Sequence, residues 1–269
     1  MDITAFTEFK TGILVPIETG SGASHAFIPN KLTASLDLDQ KLWQLVADAR
    51  GAVERLEQIK GILPDPLFLL HPLQQREALH SSRLEGTHAR ADELLLFDIQ
   101  QEGDEAIKIP ADARASDQLE VWNHYDALRQ GNNWLQEGRR LDRSLILDLH
   151  RILMTGVRGK DKTPGSFREC QVFVGRRPRS FIPPPWEQIE DCIGSLVSFM
   201  HNDVEMDPLV KAFVVHYQFE AIHPFQDGNG RVGRLLLSLC VSEWMNLTLP
   251  WLYISEYFEK HRKDYNEHL

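Results

Sequence analysis

The sequence has few cysteines, no long apolar run and no excess of positive charge. Its three cysteines, Cys170, Cys192 and Cys240, are scattered and form neither a disulfide framework nor a CxxC metal pair. The longest apolar runs, such as LLLF at 94–97, are far too short to cross a bilayer. These absences argue against a disulfide-stapled secreted domain and against a membrane protein.

The net charge and the first residues exclude further classes of protein. A formal net charge of -10 predicts no general attraction to nucleic acid or to anionic membranes. The first residues, MDITAFTEFKTG, lack the basic and apolar regions of a signal peptide. We therefore expect a soluble cytoplasmic protein that binds neither nucleic acid nor membranes.

Hydrophobic periodicity predicts an all-α fold in three parts. Residues 1–37 are rich in Gly, Ser, Thr and Pro without a sustained period, so we expect an extended or irregular N-terminal arm. A helical region at 38–110 and a further domain at 111–269 follow. The predicted helices run from Asp39 to the GILPDP stop at 61–66 and over Pro72–Glu85, Ala91–Gln101, Ala113–Arg129, Asp142–Met154, Trp186–Asn202, Pro208–Ile222, Arg231–Trp244 and Ser255–His268.

One segment breaks this helical pattern. TPGSFRECQVFVGRRPRSFIPPP, at 163–185, contains β-branched and aromatic residues, a central GRRPR and three closing prolines. Prolines are excluded from helix interiors, and the VFV triplet favours the extended state. The segment therefore predicts one short β-hairpin in an otherwise helical protein.

The segment AIHPFQDGNGRVGR, at 221–234, has the chemistry of an anion site. It leads into a predicted helix that begins near Arg231. Arg231 and Arg234 oppose the helix dipole there, and such a local conflict often prepares a ligand site. The glycines at 228, 230 and 233 allow close backbone approach. Free amides and two arginines three residues apart predict a phosphate-binding site.

Two further side chains in the same segment suggest a reaction. A carboxylate such as Asp227 beside phosphates is costly unless a metal bridges them, and Mg²⁺ commonly binds one carboxylate plus phosphate oxygens. His223 can take a proton near neutral pH. Taken singly, these residues would more often be structural; together they predict phosphoryl or nucleotidyl transfer. The GK[ST] of a P-loop, the EF-hand ligand pattern and the HExxH of zinc proteases do not occur here.

The residues 223–234 resemble the signature HxFx[DE]GNGRxxR of the Fic family at every fixed position. The resemblance extends over roughly residues 30–269, with the predicted hairpin similar to the family's flap. It implies a Fic-type helical bundle that moves AMP from ATP to a hydroxyl side chain (Ser, Thr or Tyr) of a target protein. The target is expected to dock at the flap, residues 170–183. Self-modification and a homodimer are left open.

The same resemblance implies a role for each motif residue. His223 would be the general base, and Asp227 would hold Mg²⁺ against the α- and β-phosphates. The nucleotide-binding segment runs from Gly228 to Arg234. Within it, the Gly228-Asn229-Gly230 backbone and the Asn229 side chain would form the anion hole, Arg231 would steady the triphosphate, and Arg234 would hold the γ-phosphate. Val232 and Gly233 complete this segment, and residues near Ile182 and Tyr265 would help enclose the adenosine.

An inhibitory motif is expected upstream. Ser81-Ser82-Arg83-Leu84-Glu85-Gly86 fits the family pattern [ST]xxxE[GN]. Ser81 and Glu85 are four residues apart and so share one helix face. By resemblance to relatives with such a helix, Glu85 would pair with Arg234 in place of the γ-phosphate and inhibit transfer.

Three other functions remain open from the sequence. The same site could remove AMP from a modified protein, which released AMP would reveal. It could also transfer a phosphoryl group or another nucleotide, which donors labelled on the α- or γ-phosphate would distinguish. A DNA-binding regulator is the non-enzyme alternative, but the net charge of -10 and the lack of a basic helix argue against it.

Overall fold

In a computed structural model of the protein, residues 11–20, 22–33, 36–60, 62–63, 65, 67–87, 89, 113–157, 163–175, 181–202 and 205–269 are described. These ranges contain nine helices and one two-stranded antiparallel sheet. The all-α prediction is confirmed. Within the same ranges, no helix combines the length and the apolarity needed to cross a membrane.

The elements are numbered in chain order. They are β1 (Gly12–Thr19), β2 (Gly22–Pro29), α1 (Gln40–Lys60), α2 (Leu67–Leu84), α3 (Ala113–Gln136), α4 (Arg143–Leu153), α5 (Ile189–His201), α6 (Pro208–Ile222), α7 (Asn229–Trp244), α8 (Ser255–Lys260) and α9 (Arg262–His268). A single 3₁₀ turn, Trp186–Gln188, precedes α5.

Helix α7 is the centre of the bundle. Every residue from Arg231 to Val241 is buried, because α3, α4 and α6 pack around this helix. The core consists mainly of aliphatic residues from α4 to α7, with the aromatic rings of Phe199, Phe219 and Phe225. Helix α2 packs against α3 and α8, so its C-terminus lies next to α7. This arrangement brings residues far apart in sequence to the start of α7.

The regular hairpin lies where we expected an arm. Strands β1 and β2 pair from Gly12–Pro29 to Thr19–Gly22, whereas an irregular lead-in was predicted for residues 1–37. Pro16 lies within β1; a two-stranded sheet has only edge strands, and these tolerate proline. At the predicted flap, Val174 and Phe181 exchange two backbone hydrogen bonds of 2.9 Å. Residues 176–180 between them lie outside the described residues.

Several helix boundaries differ from the predicted ones. Helix α2 begins at Leu67 rather than near Pro72, and α9 follows α8 after a break at His261 where one helix was predicted. Helix α3 continues past the QGNN stop at 130–133. A Cβ on Gly131 would lie 2.9 Å from Leu239 Cδ1, so this glycine permits close packing of α3 on α7. The predicted helix Ala91–Gln101 lies outside the described residues.

Candidate active site

A glycine shapes the start of α7, where the anion site is predicted. Gly228 is the N-cap residue and has a φ of 79°, in the left-handed region that favours glycine. The helix therefore begins at Asn229, two residues before the predicted start at Arg231. The first N–H groups of a helix have no partner within it, so those of this turn are available to an anion.

The loop before α7 is held by Asn229 and Phe225. The Asn229 side chain accepts a hydrogen bond from Phe225 N and donates one to Phe225 O, both at 2.8 Å. The Phe225 ring is fully buried and stacks on His150 at 3.7 Å between centroids. Since Gly165 N donates to His150 Nδ1, the Nε2–H donates to Asp227 O at 3.2 Å. The Asn229 side chain, expected to contact the anion, is thus occupied by the loop backbone.

Replacing Asn229 with alanine should destabilise the protein measurably. The substitution leaves the buried N–H and C=O of Phe225 without their partner, and each such loss costs about 1–3 kcal/mol. Urea unfolding followed by circular dichroism measures the change. Asn133→Ala, at an exposed position of α3, is the matched control and should change stability by less than about 0.5 kcal/mol. Equal effects of the two substitutions would contradict the role of Asn229.

His223 follows α6 directly and faces the start of α7. It has a φ of 50°, and its N–H bonds to Phe219 O, which turns the chain out of the helix. Burial lowers the pKa of His223 to about 4, although its ring donates to the main-chain carbonyl of Glu220. The imidazole is therefore neutral at pH 7, and its other nitrogen is able to accept a proton.

Arg168 connects the predicted flap to the loop that contains His223 and Pro224. Its buried side chain donates to the carbonyl groups of His223, Cys170 and Pro184 at 2.7–2.9 Å. Its main-chain N–H also donates to Pro224 O. Burial lowers the pKa of Arg168 to about 10, so it stays charged at neutral pH. These bonds fix the flap relative to His223.

Arg231 is buried between α3 and the loop. Its Nη1 lies 3.5 Å from Glu120 Oε2 and its Nη2 lies 3.8 Å from Asp227 Oδ1. Within the described residues, its Nε and Nη1 atoms have no hydrogen-bond partner. A buried guanidinium with unused donors is suited to bind an anion.

Arg234 contacts the predicted inhibitory motif directly. Its Nε donates to Ser81 Oγ at 2.8 Å, and its Nη2 donates to Ser81 O at 2.9 Å and to Glu85 Oε1 at 2.7 Å. The Arg234 side chain is 2% exposed, whereas that of Glu85 is 40% exposed. Burial would raise the pKa of Glu85, but the Arg234 guanidinium outweighs it and holds the pKa below its usual value. Glu85 is thus ionised at neutral pH.

Gly230 leaves space for this ion pair. A Cβ on Gly230 would collide with Glu85 Oε1 and would lie 3.0 Å from Arg234 Nη1. The Glu85 carboxylate therefore lies directly over the first turn of α7. It therefore lies beside the backbone of residues 228–230, where the sequence predicts that a phosphate group binds.

Tyr265 closes the other side of Arg234. His216 Nδ1–H donates to Gly233 O at 3.0 Å, so its Nε2 accepts from the Tyr265 hydroxyl at 3.0 Å. Arg234 Nη1 donates to the same hydroxyl at 3.5 Å. Burial raises the pKa of Tyr265 to about 12, so the phenol stays protonated at neutral pH.

Some of these groups line one cavity of about 430 Å³. Its wall includes Glu85, His223, Gly230, Arg234 and Tyr265, together with the flap residues Val174, Gly175 and Phe181. The predicted flap residue Ile182 is instead buried, and its carbonyl accepts from Phe27 N. The Val232 side chain lies in the hydrophobic core, and Gly233 faces α6.

Asp227 lies at the edge of this site, and its side chain is 40% exposed. It accepts a hydrogen bond from Gly228 N at 2.7 Å. In the described ranges, no group of three or more His, Cys, Asp or Glu side chains is placed to hold a metal ion. A single accessible carboxylate beside an anion site fits Mg²⁺, which completes its shell with phosphate oxygens and water.

The sequence interpretation did not single out Glu120, His150, Arg168, His216 or Glu220. All five precede the motif in sequence, and the first four act through backbone atoms or ion pairs that only the fold creates. A histidine or arginine within an apolar helix or beside a turn is a weak signal by itself. Glu220, three residues before His223, is the exception that helical spacing could have indicated.

Comparison with known families gives two matches. The Fic/DOC family profile matches residues 140–241, and the Fic/DOC family N-terminal profile matches residues 43–133. Together the two matched segments make up most of the chain.

Curated relatives resemble part of the chain. It is 32% identical over 117 residues to protein adenylyltransferase fic-1 of Caenorhabditis briggsae, covering 42% of this chain and 22% of that protein. It is 35% identical over 101 residues to a probable protein adenylyltransferase of Aquifex aeolicus, covering 37% of this chain and 29% of that protein. The matched parts are thus less than a third of the length of these relatives.

Solved structures resemble more of the fold. A Fic family protein from Desulfovibrio desulfuricans has a TM-score of 0.70 at 23% identity, covering 88% of this chain and 67% of that one. A Fic domain containing signaling protein from Bacteroides thetaiotaomicron has a TM-score of 0.60 at 22% identity, covering 76% of each chain. With its fold, its motif and both profile matches in agreement, this chain belongs to the Fic/DOC family.

Proposed function

We propose that this chain is a protein adenylyltransferase that transfers AMP from ATP to a Ser, Thr or Tyr hydroxyl group of a target protein. The supporting observation is the shared cavity, where the neutral His223 faces Gly230 at the start of α7 and the buried Arg234. A proton acceptor beside a site for a polyanion is the arrangement that nucleotidyl transfer requires.

The proposed reaction follows from the positions of these groups. The target hydroxyl oxygen attacks the α-phosphorus of ATP, and His223 takes the hydroxyl proton. The bond from the α-phosphorus to its bridging oxygen breaks, and pyrophosphate leaves. The first N–H groups of α7 bind the α-phosphate oxygens, and Arg231 and Arg234 bind the remaining phosphates.

Asp227 is proposed to hold Mg²⁺. The ion would supply charge neutralisation for the triphosphate in this otherwise cationic site. Asp227 is suited to this role because it is accessible and lies next to the first turn of α7. Removal of Mg²⁺ with a chelator is therefore expected to abolish transfer.

The flap, residues 170–183, is proposed to position the target. Val174 and Phe181 form an antiparallel bridge, and both residues line the cavity. An extended target segment could add to such an edge by backbone hydrogen bonds, which brings its hydroxyl side chain to His223.

Glu85 is proposed to inhibit transfer. It occupies Arg234 and the space over Gly230, so the γ-phosphate loses its main cationic partner. Arg262 donates to the carbonyl groups of Arg83 and Leu84, which secures the end of α2 that positions Glu85. Release of this contact would permit the productive triphosphate pose.

Donor labelling tests the proposed reaction. The Glu85→Gly chain with Mg²⁺ and ATP labelled on the α-phosphate is expected to become radioactive by self-modification, whereas γ-labelled ATP should give none. Label from the γ-phosphate would mean phosphoryl transfer. Release of AMP from a modified protein, without incorporation, would mean that the site removes AMP instead.

A further inference from the structure

Among the described residues that line this cavity, Glu220 has a carboxyl group without a role in the reaction or the inhibition proposed above. It lies on α6, one turn before His223, and lines the same cavity as Glu85 and Arg234. Its side chain is only 9% exposed. Its Oε1 atom is buried and has no hydrogen-bond partner in the part of the chain that the structure describes. A buried polar atom without a hydrogen-bond partner is unusual in a folded protein, and here the side chain that carries it lines a cavity.

Gly233 makes room for the Glu220 carboxyl group. A Cβ on Gly233 would collide with Glu220 Oε1. Glycine inside a helix is about 1 kcal/mol less favourable than alanine. Gly233 therefore lowers the stability of α7 but leaves space for the Glu220 carboxyl group. Gly230 accommodates Glu85 in the same way, one turn earlier on the same face of α7. The two carboxyl groups thus both lie against α7, and both interact electrostatically with Arg234.

The surroundings of Glu220 favour its uncharged form. Burial raises the pKa of Glu220 to about 8; Arg234 opposes this shift, and the charge of Glu85 adds to it. The distance from Glu220 Oε2 to His223 Nδ1 is 4.0 Å, too long for a hydrogen bond. At pH 7 the group is therefore a carboxylic acid, which donates a hydrogen bond and does not repel an anion.

We propose that Glu220 is a further nucleotide-binding residue, whose uncharged carboxyl group donates a hydrogen bond to a phosphate oxygen of ATP. The inference rests on the proposed adenylyl transfer. The bound phosphates replace the negative charge of Glu85 beside Glu220 and so keep its proton in place. Above the pKa of Glu220, the carboxylate repels the triphosphate and the donor is lost.

Among the described residues, the charged or titratable groups that face Glu220 keep their charge state between pH 7 and pH 9.5. His216 and His223 on α6 have pKa values lowered to about 4 by burial. Arg234 on α7 has a raised pKa. Glu85, which follows α2, has a lowered pKa and is replaced in the Glu85→Gly reference chain used below. Tyr265 on α9 has a pKa raised to about 12 by burial. A change in ATP affinity over this range is therefore assigned to Glu220.

Calorimetric titration with ATP and Mg²⁺ at pH 7 and pH 9.5 tests the inference, using the Glu85→Gly chain as the reference. The affinity of the reference should fall about tenfold between the two pH values, whereas Glu220→Gln should bind equally well at both. Glu220→Ala should bind about tenfold more weakly at pH 7, the loss of one hydrogen bond to a charged group. Glu54→Gln, the same change at an exposed position of α1, is the control and should follow the reference.

The outcomes separate the two proposals. A pH dependence that Glu220→Gln retains, or unchanged binding by a folded Glu220→Ala chain, overturns the role of Glu220 while adenylyl transfer stands. Equal affinity of the reference at both pH values also overturns it. An ionised Glu220 can still accept a hydrogen bond from a ribose hydroxyl group, so this result would mean that Glu220 contacts the ribose and not a phosphate oxygen. A reference chain that neither binds ATP nor incorporates AMP overturns both proposals.

Discussion

Replacing Glu85 with glycine is expected to raise AMP incorporation from ATP by about 10- to 100-fold. The substitution removes the carboxylate that pairs with Arg234 at 2.7 Å and lies over Gly230. The freed guanidinium can then make a charge-assisted hydrogen bond to the γ-phosphate, a bond that contributes about 1.5–3 kcal/mol. Arg234 should keep its position, because Ser81 still accepts two hydrogen bonds from it.

Incorporation of α-labelled ATP into the chain itself measures this effect, with the rate at saturating ATP compared between variants. Glu137→Gly, in the turn that follows α3 and far from the cavity, is the matched control and should leave the rate unchanged. A Glu85→Gly chain that is no more active than the parent would remove Glu85 as the inhibitory residue.

Replacing His223 with alanine is expected to reduce transfer by about 100- to 10,000-fold in the Glu85→Gly background. A positioned general base contributes a factor of this size. The imidazole is neutral at pH 7 because burial lowers its pKa to about 4, so the acceptor form is already present. ATP affinity should change by less than about twofold, because the expected phosphate contacts come from Arg231, Arg234 and the backbone of α7.

A combination of calorimetry and labelling separates binding from chemistry in this variant. His268→Ala, at an exposed position near the end of α9, serves as the control and should retain full transfer. Undiminished transfer by a His223→Ala chain that still binds ATP would show that another group takes the proton.

The local pattern of the chain was sufficient to predict most of the helices. Helix α6 was predicted with its observed bounds. In the structure, Asp207 is its N-cap residue, Pro208 its first residue and His223 its C-cap residue. Helix α4 differs by one residue at each end, with Asp142 as its N-cap residue. Caps and hydrophobic period are local signals, which the sequence contains directly.

The errors arose where distant contacts override local preference. Helix α3 continues through Gly131, where the absence of a side chain lets α3 pack closely against Leu239 of α7. This tertiary contact outweighs the low helix propensity of glycine. The sheet of β1 and β2 was missed because its period is weak and Pro16 interrupts it, whereas the pairing between the two strands stabilises the extended conformation. Such pairings depend on residues outside any local window.

The sequence alone determined where the candidate site lies, because motif residues 223–234 are contiguous and can be identified without the rest of the chain. It also indicated Glu85 as a partner of Arg234, by resemblance. Only the tertiary structure decided which groups meet there: Ser81 and Glu85 on Arg234, Glu120 on Arg231, and Arg168 and His150 on the loop. The buried Glu220 acquires its raised pKa in the same way. Burial and long-range contact set charge state and geometry, and neither exists until the helices pack.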